Sequence, residues 1–189
     1  MTFHEALSLP DLFDKKAVVC REEAFPVDED SFGALYRSTA PALLGYIRKT
    51  LGNATMAEDI LQETFYHYLR ADLPEMDANR AKSYLFKIAT SLMADHWRRE
   101  RREKFWQSLW HPPAAVQDRQ SDDVAHALSA LKPAERALLW LAYVEGFDHN
   151  EIASTLGLKA KSIRVLLFRA RQNLSRTLGR QYGISGATS

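Results

Sequence analysis

The chain has a single cysteine, Cys20, so no disulfide can close within it and no Cys-based zinc finger can form. A reducing, cytoplasmic setting is the expectation that follows. No apolar run approaches the roughly 18 residues that a membrane span needs. Glu5, Pro10, Asp11 and Asp14 interrupt the stretch where a signal peptide would be continuously apolar. A soluble protein without membrane insertion is therefore expected. Glycine and proline are sparse, at eight and seven residues of 189, which argues against a low-complexity chain. The sequence contains no Gly-rich phosphate loop, no His/Cys set at metal-ligand spacing and no nucleophile motif. The six histidines are scattered and Cys20 has none beside it. Neither an enzyme nor a metal or other cofactor is expected.

What is present is enough apolar material, 46% of residues, to bury one core or two small ones, and 26% charged residues. The net charge of +1 conceals a strong segregation. Arg80 to Lys104 holds eight basic residues against Asp95, Glu100 and Glu103, and Gly157 to Arg180 holds seven basic residues and no acid. The rest of the chain carries the compensating negative charge. Two basic blocks on an acidic body suggest two contacts with a polyanion such as DNA.

Almost every strong pattern has helical period, and none shows sustained alternation with hairpin turns, so the fold class is all-α. Phe32 to Leu51 reads as a helix closed by Gly52-Asn53. Thr55 to Leu69 reads as a second, with a capping box at Thr55 and Glu58 and a stripe of Ala57, Ile60, Leu61, Thr64, Phe65 and Tyr68. After a break at Pro74, a long helix is expected from about Ala78 past Arg102, with Phe105, Trp106, Leu109 and Trp110 as an amphipathic continuation. The polar, Pro-containing stretch His111 to Asp123 marks a boundary. Pro133 starts a further helix, Gly146 ends it, and Asp148 with Glu151 forms a second capping box. The division is an N-terminal extension 1–30, a helical unit 31–104, a flexible linker 105–123, a second helical unit 124–180 and a tail 181–189.

The stretch from Asp148 to Leu174 reads as helix, tight turn, helix. Ile152, Ala153 and Leu156 line the first helix, Gly157 makes the turn, and Ile163, Leu167, Ala170 and Leu174 line the inner face of the second. Ala153 is small enough for two helices to cross closely, as a helix-turn-helix requires. The outer face offers Lys161, Ser162, Arg164, Val165, Phe168, Arg169 and Arg171. A helix lying in the major groove needs this mixture of cations for phosphates and exposed groups for base edges.

The N-terminal unit narrows the choice among helix-turn-helix proteins. Ala57, Glu58, Asp59, Gln62 and Phe65 match the A-E-D-x-x-Q-x-x-F pattern of bacterial sigma factors. Leu85, Ile88, Ala89, Asp95, Arg98 and Arg99 follow a second pattern of that family, and Glu151, Ile152, Ala153, Leu156, Gly157, Arg169, Ala170 and Arg171 follow a third. The chain thus resembles the extracytoplasmic-function (ECF) sigma factors, over about residues 31–104 and 124–180. The resemblance implies two small helical domains, region 2-like and region 4-like, and a promoter-specificity subunit without catalysis of its own. It implies that Glu58, Asp59, Gln62, Glu63 and Phe65 dock on the clamp coiled coil of the RNA polymerase core. Tyr84, Lys87, Ser91, Asp95, Trp97, Arg98 and Arg99 would bind and melt the downstream (−10) element. Arg136, Lys161, Ser162, Arg164, Val165, Phe168, Arg169 and Arg171 would bind the upstream (−35) element, with the polymerase flap as a further partner. An anti-sigma factor is a candidate partner on the same ground.

The residue chemistry agrees with these roles. Glu58, Asp59, Gln62 and Glu63 form an acidic helix face suited to a basic or amide-rich surface. Lys87, Arg98, Arg99, Arg101 and Arg102 can hold a strand backbone, while Tyr84, Phe86, His96 and Trp97 offer rings, with Phe86 and Trp97 equally suited to the core. Stacking contributes about 1–3 kcal/mol per unpaired base. Ser91 and Tyr84 stand where the family usually has Asn and Trp. Val165 and Leu166 replace Ser and Arg, and Lys159 replaces a Ser cap. These departures bear on which promoter is preferred. The competing reading is a stand-alone helix-turn-helix regulator, which would have no use for the acidic docking face or for the aromatic-basic helix.

Overall fold

The structure, a computed structural model, describes residues 29–71, 76–108 and 127–181. The break at Pro74, nearly all of the N-terminal extension, most of the linker and almost the whole tail lie outside the described residues. So do the side chains of Arg101 and Arg102. Six helices are delimited among the described residues, with a further helical stretch at 127–129: α1 Glu29–Leu51, α2 Ala54–Arg70, α3 Ala78–Ser108, α4 Pro133–Tyr143, α5 His149–Leu156 and α6 Ala160–Gln181.

Helices α1, α2 and α3 pack pairwise against one another. Of the apolar stripe expected on α2, Ala57, Ile60, Leu61, Thr64 and Phe65 are buried, and Tyr68 is half-buried against the core. Its start differs from the expected capping box. Asn53 is the N-cap and accepts from the Met56 N–H at 3.1 Å, while the Glu58 carboxylate is paired with Arg48 at 2.6 Å instead of turning back to a cap. Asn is as good a cap as Thr, and Gly52, at φ 77°, lets the chain reverse just before it. At the centre of the trio, Tyr46 is fully buried with its ring 5.2 Å from that of Phe86. Thr90 donates to the Phe86 carbonyl at 2.7 Å, so its oxygen accepts from the Tyr46 hydroxyl at 2.9 Å. Burial pushes the Tyr46 phenol well above its ordinary pKa.

The C-terminal trio is built as the sequence indicates. Pro133 occupies the first turn of α4. Asp148 caps α5, accepting from the Asn150 and Glu151 N–H groups, while Glu151 accepts in return from the Asp148 N–H at 2.8 Å. Gly157, at φ 65°, turns the chain from α5 into α6 through a left-handed conformation that a side chain would strain. One device was not visible in the sequence. The Glu135 carboxylate, in a residue only 6% exposed, accepts from the Lys132 N–H at 3.1 Å and from the Asn173 side-chain amide. It therefore closes the first turn of α4 and ties α4 to α6. Replacing Glu135 with Ala strands both donors, and a loss of about 1–3 kcal/mol is expected in urea melts, with Glu135→Gln retaining most of the stability.

Composition allowed one core or two, and tertiary packing makes one. Leu43, Tyr46 and Ile47 of α1 and Leu85, Phe86, Ala89 and Met93 of α3 belong to the same buried cluster as Leu138, Leu141, Phe147, Ile152, Leu156 and Ile163. Helix α4 packs on α1, and α5 packs on α3. Trp140 lies over Gly45, where a Cβ would come within 3.3 Å of its ring. A second small cluster, Leu131, Leu139 and Ala170, holds α4 to α6.

Candidate nucleic-acid interface

Helix α6 has two faces of opposite character. Ile163, Leu167 and Ala170 are buried against α4 and α5. Lys161, Arg164, Val165, Phe168, Arg169 and Arg171 are all exposed, and Ser162 is half-buried. Val165 and Phe168 are 50% and 51% exposed, although burying either would be favourable. Large apolar groups left bare among four cations form a surface suited to a groove that offers thymine methyls between phosphates. Arg171 donates to the Tyr143 hydroxyl at 3.1 Å at the edge of this face. Arg136 lies elsewhere. Its guanidinium donates to the Thr50 carbonyl at 2.7 Å and the Ser129 carbonyl at 3.2 Å, and burial lowers its pKa. In this arrangement Arg136 joins α4 to the end of α1 and is not part of the α6 face.

Helix α3 presents a second surface. Lys87, Ser91, Asp95 and Arg98 follow one another at helical spacings of four, four and three, and Tyr84 precedes them on the same side. Lys87 and Arg99 are exposed, and Tyr84, Ser91, Asp95, Trp97 and Arg98 are half-buried. Arg98 is paired with Asp95. Tyr84 lies 6.4 Å from the Tyr68 ring. Of the aromatic residues, Phe86 is wholly buried and Trp97 packs on the core from outside, so Phe86 supports the helix from within. The basic residues and Tyr84 share this side of α3 with the half-buried Ser91.

Helix α2 carries the third. Glu58, Asp59, Gln62 and Glu63 are exposed. Phe65 is not: it is 4% exposed, with its ring 4.7 Å from Tyr36 and edge-on to Phe32. Its part in the face is to seat α2. Glu58 is paired with Arg48, and Glu63 lies 3.6 Å from His67. Sequence reasoning missed Tyr66, which is 53% exposed one turn beyond Gln62 with Arg70 over its ring. Its spacing from Asp59 and Gln62 was the available signal. Among the described residues no group of His, Cys, Asp or Glu could hold a metal ion, and no helix is long and apolar enough to cross a membrane.

These faces, on a helical trio followed by a helix-turn-helix, define a two-part helical protein of the DNA-binding type. The family profile "Sigma-70 region 2" matches residues 35–103, and "Sigma-70, region 4" matches residues 121–174. The chain is 31% identical over 163 residues to a probable ECF RNA polymerase sigma factor, SigI, of Mycobacterium tuberculosis, covering 77% of this chain and only 55% of SigI. It is 30% identical over 158 residues to the ECF sigma factor SigL of the same species, covering 77% of this chain and 87% of SigL. CarQ, an RNA polymerase sigma factor of Myxococcus xanthus, is 28% identical over 158 residues, covering 80% of this chain and 91% of CarQ. Among solved structures, CnrH in complex with the cytosolic domain of CnrY aligns at a TM-score of 0.59 and 26% identity, over 81% of this chain and 90% of that one. The sigma factor RpoE of Bartonella quintana, in complex with the anti-sigma factor NepR, shares the fold at a TM-score of 0.65 and 24% identity, over 79% and 97%. The chain belongs to the ECF RNA polymerase sigma factors. A stand-alone regulator would leave the region 2 match over 35–103 without explanation.

Proposed function

We propose that this chain directs core RNA polymerase to specific promoters and assists their opening, acting in the cytoplasm and without catalysis of its own. The observation that carries the reading is the bare cationic and apolar face of α6, held outward by a fully buried inner stripe. In this division of labour α2 docks on the core, α3 holds the unpaired −10 strand, and α5 with α6 reads the −35 duplex. The segment between the two domains serves as a linker. The solved relatives in complex with CnrY and NepR support an anti-sigma protein as a further partner.

The test is reconstitution of the purified chain with bacterial core polymerase. Core association with promoter-dependent initiation is expected, whereas tight duplex binding without core association would overturn the proposal. Within that assay, Asp59→Lys combined with Gln62→Ala reverses one charge and removes one amide on the exposed α2 face. A loss of core affinity of about tenfold or more is expected, given about 1.4 kcal/mol per tenfold and several desolvated polar contacts. Unaltered affinity would remove α2 as the docking helix. Ser91→Ala should slow opening more than it weakens the closed complex.

A further inference from the structure

Most of the large apolar side chains that stand exposed have a reason in the fold or in the faces described above. Tyr36 packs on Phe65 across α1 and α2, Tyr143 accepts from Arg171, and Val165 and Phe168 belong to the α6 face. Tyr66 has no such reason. It is more than half exposed on α2, and its ring partners among the described residues, Arg70 and His67, lie on the same helix. A ring left bare forgoes the free energy of burial, and a helix position that faces water ordinarily carries a polar side chain.

Its place on the helix is informative. Asp59 and Tyr66 are two turns apart, so they point within about 20° of each other, and Gln62 lies between them. All three are exposed, on the side of α2 opposite the buried Ala57, Ile60, Leu61 and Thr64. The ring thus stands at the crest of the face assigned to core docking. It is also held there. Arg70 sets its guanidinium carbon 5.3 Å from the ring centre and donates from Nη1 to the Tyr66 hydroxyl at 2.5 Å. Arg70 is half-buried in the last turn of α2, where a cation suits the C-terminal end of a helix. A ring fixed before docking loses less side-chain freedom on docking.

The neighbouring acids are less available. Glu58 is paired with Arg48 at 2.6 Å, so its charge is already met within the chain, and Glu63 faces His67 at 3.6 Å. Charges at the edge of an interface mainly steer association and set orientation, whereas a desolvated Tyr near its centre carries much of the affinity.

We propose that Tyr66, held by Arg70, is the anchor of the docking face of α2. Its ring enters an apolar or amide-lined recess of the core polymerase, and Asp59 and Gln62 set the orientation around it. Arg70 is a positioning residue that acts through the ring. This role rests on the sigma factor reading of α2 and deepens it: the main contribution moves from the acidic motif to a ring that lies outside the motif.

The affinity of the full-length chain for bacterial core polymerase, measured at low and at high salt beside urea melts, tests the assignment. Tyr66→Ala should weaken core binding about thirtyfold, the equivalent of the roughly 2 kcal/mol that marks a hot-spot residue. The loss should lie in the dissociation rate, keep its size at high salt and leave the melt as in the parent chain. The loss in the Asp59→Lys, Gln62→Ala chain should instead shrink as salt rises. Tyr66→Phe keeps the ring and should lose about threefold, as for one exposed hydrogen bond. Arg70→Gln should weaken binding about threefold to tenfold, yet add nothing in a Tyr66→Ala background. Additive losses overturn the positioning role of Arg70. A Tyr66→Ala loss that vanishes at high salt, or that comes with a weakened melt, overturns the anchor. Affinity unmoved by Tyr66→Ala but lowered by Asp59→Lys with Gln62→Ala overturns the anchor and leaves α2 as the docking helix. Affinity unmoved in both chains overturns the docking reading of α2 and the anchor with it.

Discussion

Replacing Phe86 with alanine is expected to lower the stability of the chain by about 3–5 kcal/mol, the usual range for a buried phenylalanine. Phe86 is 0% exposed, and its ring stands 5.2 Å from Tyr46 on one side and 5.3 Å from Phe147 on the other. Truncation would leave a cavity at the one point where α1, α3 and the turn before α5 meet. Total stabilities of about 5–15 kcal/mol make this a large fraction. Urea melts followed by circular dichroism provide the measurement, and Phe86→Leu should recover much of the loss by refilling the space. The sequence allowed Phe86 to be either a core ring or a base-stacking ring. A stacking ring would leave the melt unchanged and impair promoter opening, so a cost below about 1 kcal/mol would contradict its place in the core.

Substituting Arg164 or Arg169 by alanine is expected to weaken recognition of the upstream element about tenfold to a hundredfold each. That range follows from about 1–3 kcal/mol for a base contact. Both arginines are exposed on α6, on either side of Val165 and Phe168, and neither is needed to hold the helix, whose buried stripe is Ile163, Leu167 and Ala170. The melt should therefore stay as in the parent chain. The form of the loss separates two roles: a base contact loses discrimination at one position of the element. A phosphate contact weakens all sequences alike and lowers the salt slope by about one. Binding unchanged in both variants would remove the α6 face from the interface. Val165→Ala should act more mildly, through loss of apolar contact with a thymine methyl.

Much of this molecule was legible from sequence because its cues are local. The turn at Gly157, the Asp148–Glu151 box and the alternation of Ile163, Leu167 and Ala170 with Arg164, Phe168 and Arg169 lie within a few residues of one another. Helical period therefore suffices to assign inside and outside. Order and spacing of the motifs were enough to identify the sigma factor class. The same local logic misplaced the start of α2, because Asn53 and Thr55 are both competent caps and only the course of the backbone selects between them. Helical period placed Phe65 in the apolar stripe while its motif placed it in the docking set, and packing shows it to be a core ring beside the exposed Asp59 and Gln62.

What only the tertiary structure decided are pairings between residues far apart in the chain. Arg136 with the Thr50 carbonyl, Asn173 with Glu135, Tyr46 with Thr90, and Lys82 with Glu145 join positions dozens of residues apart. No period or cap links such positions, since their proximity depends on how whole helices cross. The union of two halves into one core is of the same kind. Each half has an apolar stripe that must be covered, and the sequence states that need without naming the cover. Here the cover is the other half, because the helices that carry the two stripes cross there.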